Sequence, residues 1–430
     1  MLTVAYLANE FPSAVEPYVS SEVEELRRRG VRVVTGSVWR GKSDSSIQGE
    51  PEVVVMRSGT NIMISAAWLC IAEWRRIATP IGRVLFRGRE SPIQRLKALA
   101  HTFLGACYAV RLRDRGVDHI HVHHGYFGSW VAMTAAQLLG VPYSVTLHGS
   151  DLLLHGAYLD VKLANSSFCL TISEYNRRYI LEHYPEVEAG KVIVGRLGVG
   201  VPDSVTIPAP RTRTTSGPLT LLAVGRLHAV KDHAFLVRAC ARLATREAHF
   251  ECVIAGEGPE RSSLQSLIRR SGLERRVTLL GHVPREQMDS LYDRADVVVL
   301  TSRSEGIPLV LMEAMARGKI VVAPAITGIP ELVIGGKTGF LYEPGSIHDL
   351  VDCLLLIDAM MLSENRRGDQ RPDQATAATP LDWIRHAARV QVRHNFNRKT
   401  NLECFADLFV QRIVRQSKSI PDENLVLQQI

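Results

Sequence analysis

The chain has 430 residues, 46% hydrophobic and 22% charged, which is long enough for two cored domains and too apolar for a mainly disordered protein. Seven cysteines at 70, 107, 169, 240, 252, 353 and 404 form no CxxC pair, so neither a zinc knuckle nor a disulfide framework is indicated and a reducing compartment is expected. The formal net charge of +7 does not read as nucleic-acid binding: residues 61–115 hold ten Lys or Arg against three acids and account for the whole excess.

Met1 leads straight into an apolar strand, without the basic start and apolar core of a secretory signal. No run reaches ~18 uncharged apolar residues, so no transmembrane helix is expected. Leu2 to Ala8 predicts a strand, the loop Asn9-Glu10-Phe11-Pro12-Ser13 follows, and a helix from about Tyr18 to Arg29 closes at Gly30 before a strand at Val31 to Thr35. This is a βαβ unit, and its first loop lies where open α/β sheets bind ligands. Glu16-Pro17-Tyr18 ends that loop. Glu16 is a candidate acceptor contact, although an acid entering a helix is equally explained by the macrodipole.

From Asn61 to Arg115 an amphipathic pattern sets Ile62, Met63, Ala66, Trp68, Leu69, Ile71 and Trp74 against a basic set beginning at Arg75. Such helices suit an anionic membrane surface or, more plainly, the cover of a sheet. His119, His121 and His123 fall on one face of the next strand, and His124 at its end is a candidate acceptor contact. No carboxylate or cysteine stands at ligand spacing beyond Asp118, so no metal is expected there. A helix from about Tyr126 to Leu139 and a strand from Pro142 to Leu147 lead to His148-Gly149-Ser150-Asp151. A histidine at a strand end beside a flexible glycine can reach a ligand, and Asp151 can order the loop or touch an acceptor.

Strands at Phe168 to Ile172 and Lys191 to Val194 flank a helix at about Glu174 to Tyr184, and residues 201–218, rich in Pro, Thr and Ser, predict a linker. Leu219 to Val224 then opens a second half with Gly225-Arg226-Leu227-His228-Ala229-Val230-Lys231-Asp232. Arg226 and Lys231 can converge on a diphosphate, Arg by its fork and Lys as a point charge. Gly256 and Gly258, after the strand Cys252 to Ala255, would let a ligand approach the backbone, though Arg261 stands where a dinucleotide fingerprint needs its third glycine. His282 and Val283, after Val277 to Leu280, would line a nucleobase slot.

Val297 to Leu300 is a buried-strand run, followed by a polar loop to Glu305 and by Gly306, Ile307 and Pro308 at the entry to a helix that contains Glu313. Glu305 on the loop and Glu313 about a turn and a half into the helix can face one crevice, with the helix N–H groups available to an anion. Carboxylates for sugar hydroxyls and amides for phosphate suit a nucleotide sugar. Gly335-Gly336-Lys337-Thr338 fails as a P-loop, because Glu331 occupies the first glycine position. Residues 362–379 predict an exposed loop, Pro380 to about Val414 a long helical segment, and the tail from Gln416 frays.

The spacing E-x7-E within S-E-G-I-P-L-V-L-M-E-A-M-A strongly resembles the retaining family 4 glycosyltransferases, with H-G-x-D at 148–151 and G-R-L-x-x-x-K at 225–231 in support. The layout is similar to the exopolysaccharide or colanic-acid-type branch. The resemblance implies an α/β GT-B fold of two Rossmann-like, doubly wound parallel-sheet domains facing a central cleft. Residues 1–200 would bind acceptor, 219–394 would bind nucleotide sugar, and 395–430 would cross back to the first domain and end in a tail. It further implies that Glu305 positions the donor sugar, Glu313 the ribose, and that His148 borders the anomeric centre. Gly198-Val199-Gly200 stands where the family usually has a polar Gly-Val-Asp, so that contact is missing.

The expected activity is metal-independent transfer from a UDP- or GDP-linked sugar to a glycan or lipid-linked acceptor in cell-surface polysaccharide synthesis, with no cofactor. No Asp-x-Asp occurs, so Arg226, Lys231 and helix N-termini must neutralise the leaving diphosphate. The expected location is cytoplasmic, peripheral on the inner face of the membrane. Rival readings are a nucleotide-sugar epimerase, a phosphorylase, or a binding protein without catalysis.

Overall fold

A computed structural model describes residues 1–13, 16–39, 50–87, 90–154, 156–201, 217–370 and 378–419. Most of the 201–218 linker, residues 371–377 of the predicted loop and residues 420–430 of the tail lie outside the described residues.

Strand β1 (Thr3–Ala8) is buried throughout because alternate residues feed two cores: Val4, Tyr6 and Ala8 face one, Ala5 and Leu7 the other. Helix α1 (Pro17–Arg28) starts on a proline, whose missing N–H costs nothing in a first turn, and it buries Val19, Val23 and Leu26. Then come β2 (Arg32–Ser37), β3 (Val53–Val54), and the helices α2 (Thr60–Ala72), α3 (Trp74–Phe86) and α4 (Pro92–Leu112). The Ser91 hydroxyl and Gln94 side chain form a capping box at the start of α4. The unit continues through β4 (His119–His123), α5 (Phe127–Leu139), β5 (Tyr143–Leu147), α6 (Ser150–Leu153), α7 (Leu159–Ala164), β6 (Phe168–Thr171), α8 (Glu174–His183) and β7 (Val192–Val194). All seven strands are parallel, in the order β3-β2-β1-β4-β5-β6-β7.

The second sheet is also parallel. It is built from β8 (Leu219–Val224), α9 (His233–Thr245), β9 (Phe250–Ala255), α10 (Arg261–Arg270), β10 (Val277–Gly281), α11 (Arg285–Arg294), β11 (Val297–Val299), α12 (Leu309–Ala316), β12 (Ile320–Pro324), α13 (Ile329–Leu332) and β13 (Phe340–Tyr342). Its order is β10-β9-β8-β11-β12-β13. Helices α14 (Ile347–Gln370) and α15 (Pro380–Asn395) pack on opposite faces of it, through Leu350 and Leu354 in one core and Ala388 and Val392 in the other.

The polar stretch expected to loop from 362 stays helical to Gln370, because α14 is already anchored by the buried Leu350, Val351, Leu354 and Ile357 and carries its hydrogen bonding onward. The segment after Pro380 is two helices rather than one. Phe396 and Asn397 interrupt it, and Asn397 bridges Val199 before α16 (Arg398–Ser419) begins. Two compact units result: residues 1–195 with 400–430, and residues 196–399. Phe405, Ala406, Phe409 and Ile413 of α16 complete the core that contains Val4, Tyr6 and Phe168.

Both sheets reverse strand order at one point, between β1 and β4 and between β8 and β11. Loops leaving adjacent strands part there to opposite faces and open a crevice at the strands' carboxyl ends.

Candidate active site

At the β8/β11 reversal the loop after β8 ends at Lys231 and Asp232, and the loop after β11 carries Thr301 to Pro308. These loops are stitched together. Arg303 donates its backbone N–H to the Val230 carbonyl at 2.8 Å, and the Thr301 hydroxyl reaches the Lys231 and Asp232 carbonyls at 3.1 Å each. Asp232 has a positive φ of 45°, caps α9 by accepting from the Phe235 N–H at 3.2 Å, and receives Arg303 Nε at 2.7 Å. The result is that Lys231 Nζ donates to Glu305 Oε1 at 2.5 Å, with both side chains mostly shielded. Arg226, five residues before Lys231, is exposed and makes no ion pair among the described residues.

Glu313 lies on α12 and accepts from the Tyr292 hydroxyl of α11 at 2.8 Å; the Arg317 guanidinium sits 4.9 Å over the Tyr292 ring. Tyr292 is buried, and burial together with the Glu313 carboxylate pushes its pKa far up, so it stays a neutral donor. Pro308 is the cap of α12 rather than its first residue, so the free N–H groups begin at Leu309. Gly306 is half-buried and Ile307 is buried in the core beneath α12. The Thr327 hydroxyl donates to the Glu305 carbonyl at 2.6 Å, and a side chain at Gly328 would meet the Gly306 carbonyl at 2.3 Å.

Gly256 and Gly258 are required for a different close approach than a ligand's. A Cβ on Gly256, at φ 153°, would lie 1.8 Å from the Gly225 carbonyl oxygen, and one on Gly258 would lie 2.4 Å from that of Leu227. The loop after β9 is thereby pressed onto the loop that carries Arg226, with Leu227 N–H donating to the Glu257 carbonyl at 2.9 Å and Glu260 N–H to the Leu227 carbonyl at 3.1 Å. Gly256 also donates to the Gly281 carbonyl at 2.8 Å, which ties in the turn bearing the exposed His282 and the half-buried Val283. Gly198 has a similar reason: a Cβ there would meet the Phe396 carbonyl oxygen at 2.6 Å.

The remaining candidates cluster at the β1/β4 reversal of the first unit. His124, held at φ 70°, places Nε2 2.7 Å from Glu16 Oε1 and Nδ1 3.6 Å from Asp151 Oδ2. Asp151 is fully buried and orders two segments, the loops after β4 and β5, accepting from the N–H groups of Gly149 at 2.7 Å, Gly125 at 2.9 Å and His148 at 3.1 Å. Burial opposes a charge on His124, but the paired carboxylates of Asp151 and Glu16 win and lift its pKa to about 10. Burial likewise pulls Asp151 and Glu16 up, and the imidazolium more than offsets this, so both settle below the usual carboxylate range.

His148 shares a 3.0 Å hydrogen bond between its Nε2 and His123 Nδ1, while His123 Nε2 lies 3.0 Å from Glu22 and 2.9 Å from the Tyr6 hydroxyl. A carboxylate can only accept, so in the neutral tautomer His123 donates to Glu22 and accepts from His148. His148 then keeps Nδ1 as a free acceptor. Burial, with the charge of His124 close by, holds the His148 pKa well below the ordinary value, consistent with that neutral form. His119 and His121 both reach the Ser144 hydroxyl at 2.7 Å. Among the described residues no group of three His, Cys, Asp or Glu side chains is arranged to hold a metal.

Tyr292, Thr301, Thr327, Glu22 and Lys162 were not among the predicted site residues. Lys162 is buried and donates to the carbonyls of Gly125, Tyr126 and Ala157 at 2.7, 3.1 and 2.9 Å. Each sits on an element whose pattern reads as ordinary core or surface, and only the partner across the fold gives it a role.

Two family models match the chain: a glycosyl transferase 4-like domain over residues 13–198 and glycosyl transferases group 1 over residues 209–370. The putative colanic acid biosynthesis glycosyltransferase WcaL of Salmonella typhimurium is 32% identical over 215 residues, 49% of this chain and 48% of that protein. The amylovoran biosynthesis glycosyltransferase AmsK of Erwinia amylovora is 30% identical over 266 residues, 59% of this chain and 64% of its own length. The match thus spans less than two thirds of either relative. The structure of Anabaena Alr3699/HepE in complex with UDP and glucose aligns over 96% of this chain and all of that one, with a TM-score of 0.63 at 18% identity, a likeness of fold. With one model over all of the first sheet but β1 and the other over the whole of the second, the chain belongs to the GT-B glycosyltransferases that join a 4-like domain to a group 1 domain.

Proposed function

We propose that this protein transfers a sugar from a nucleoside-diphosphate sugar, with retention and without a metal, onto a glycan or lipid-linked acceptor of cell-surface polysaccharide synthesis. The observation that carries the reading is the Lys231–Glu305 pair at the sheet reversal, a cation and a carboxylate side by side at the head of α12. A bound diphosphate offers Lys231 a doubly charged partner, aided by the exposed Arg226. That frees Glu305 to accept from the sugar hydroxyls. Glu313, oriented by Tyr292, is the contact for the ribose, and His148, with Nδ1 free, is a contact for the donor sugar. As the glycosidic bond breaks, negative charge builds on the leaving diphosphate, and fixed cations stabilise it more than they stabilise the intact donor.

The relatives support the reading. WcaL and AmsK are named for colanic acid and amylovoran biosynthesis, and the Anabaena structure holds UDP and glucose. No helix among the described residues is long and apolar enough to cross a membrane. Peripheral contact is proposed instead through α2 to α4, where Trp68, Ile71, Trp74 and Phe86 are all exposed.

Thermal-shift screening against UDP- and GDP-linked sugars tests the donor class. One set should raise the melting temperature of the wild type, and by only a moderately smaller amount in Lys231→Ala, whose main loss is expected in turnover. Transfer should persist in excess EDTA, and the product should keep the donor's anomeric configuration. Activity lost to EDTA and restored by magnesium, or an inverted product, would overturn those parts of the proposal.

A further inference from the structure

An open apolar groove of about 560 Å³ lies among α2, α3 and α4, within the range of roughly 300–1,000 Å³ that takes small amphiphiles. Along α3 the residues Trp74, Ile77, Ala78, Ile81 and Leu85 fall at helical spacing and form one wall, and Leu99 and Phe103 of α4 form the floor. The single hydroxyl in the lining, that of Thr102, is occupied: it donates to the Ala98 carbonyl at 2.9 Å and accepts from Trp130 Nε1 at 2.9 Å. Apart from the Trp74 indole N–H and the weakly polar Cys70 thiol the lining is hydrocarbon, and the groove suits an acyl chain.

What covers it is indicated by its surroundings. Outside the groove the same helices carry Ile64, Trp68, Ile93 and Leu96, which are 65 to 70% exposed, more apolar surface than one small ligand covers. Arg76 and Arg83 nearby are paired with Glu73, Glu90 and Asp160. Arg75, Arg87 and Lys97 are exposed and make no ion pair among the described residues. A second copy of the chain would set the same unpaired cations against each other, whereas an anionic bilayer supplies both the chains and the phosphates.

We propose that this groove is a phospholipid site, in which one acyl chain of an anionic bilayer lipid lies along α3 while Arg75, Arg87 and Lys97 take phosphates around it. The proposal rests on the membrane contact stated above and goes further, from adsorption of a surface to a fixed position for one chain.

The test uses the full-length protein on vesicles of phosphatidylcholine and phosphatidylglycerol whose phosphatidylglycerol carries a photoreactive group on one acyl chain. Adducts should map to groove residues such as Ala78, Leu99 and Phe103. Gly82→Leu fills the groove from a position with no atom within 4 Å of a new Cβ, and Ala78→Phe does so from the turn before, should the first variant not fold. Either should cut groove labelling about tenfold, the loss expected from displacing two or three methylenes, while sedimentation with the vesicles changes little. Adducts confined to Ile64, Trp68 and Ile93, outside the groove, and indifferent to both variants would overturn the groove site and leave membrane contact standing. Absence of sedimentation with anionic vesicles would remove both. A concentration-dependent dimer abolished by Gly82→Leu would assign the groove to a second copy and overturn the lipid.

Discussion

Lys231 and Arg226 separate two behaviours that sequence alone cannot. If both face the leaving diphosphate, Lys231→Ala and Arg226→Ala should remain folded and lose turnover more than donor affinity, by about 10² to 10³, or roughly 2–4 kcal/mol of transition-state stabilisation. Ordinary surface charges would change the rate less than about threefold. Steady-state kinetics with melting controls decides, and near wild-type turnover in both would remove the phosphate assignment. The His124 cluster makes a second prediction. Its pKa, raised to about 10, gives stability that is complete below the unfolded value of about 6.5 and is lost as pH rises toward 10. Burial pulls Lys162 down to about 7, which acts in the opposite sense: stability rises between about 7 and the unfolded value near 10.4. The two limbs oppose each other in the wild type. Lys162→Met should therefore expose a decline approaching ~1.4 kcal/mol per pH unit, read from urea midpoints between pH 7 and 8, below the range where the buried thiols of Cys107 and Cys169, also raised, add a loss of their own, and a flat profile in that variant would reject the His124 assignment.

At the scale of elements, the loops at the β8/β11 reversal act as one body because backbone meets backbone. Gly256→Ala forces a Cβ into the Gly225 carbonyl and needs a φ that alanine resists, so a loss of roughly 1–3 kcal/mol or more is expected. Gly335→Ala, where only Leu341 lies within 4 Å and the backbone is unstrained, should fall within about 0.5 kcal/mol of wild type. Denaturant midpoints of the two variants compare them directly. Equal effects would show that the loop packing at Gly256 carries no special constraint. In the first unit, α2 is apolar on more than its buried side: Ala66 and Leu69 face the core, while Trp68 and Ile71 face out. Periodicity expects the apolar set to be buried together.

For the whole molecule, the chain's return to its first unit is structural. Phe405, Phe409 and Ile413 are buried against residues from β1, β4 and β6, with Phe409 edge-on to His121 at 4.9 Å. At about 1.5–3 kcal/mol for each large side chain, removing them costs on the order of the 5–15 kcal/mol that holds a domain together. A fragment ending at residue 195 should therefore lack a cooperative melt, and adding a peptide of residues 398–419 should restore one. A fragment that melts cooperatively alone would overturn this.

Periodicity and punctuation in the sequence determined the alternation of strands and helices, since which residues face a core is written locally at spacings of two and of three to four. The motifs also placed Arg226, Lys231, Glu305 and His148 at strand ends or helix starts and Glu313 within a helix, where the structure has them. Tertiary structure alone decided which of these touch. Lys231 and Glu305 are 74 residues apart and meet only because β8 and β11 are neighbours in the sheet, and Glu313 needs Tyr292 from another helix. The role of Gly256, the break at Phe396 and Asn397, and the open groove along α3 likewise depend on what lies opposite, which no local pattern records. Local preference settles how each segment buries itself; long-range pairing settles what each segment then faces.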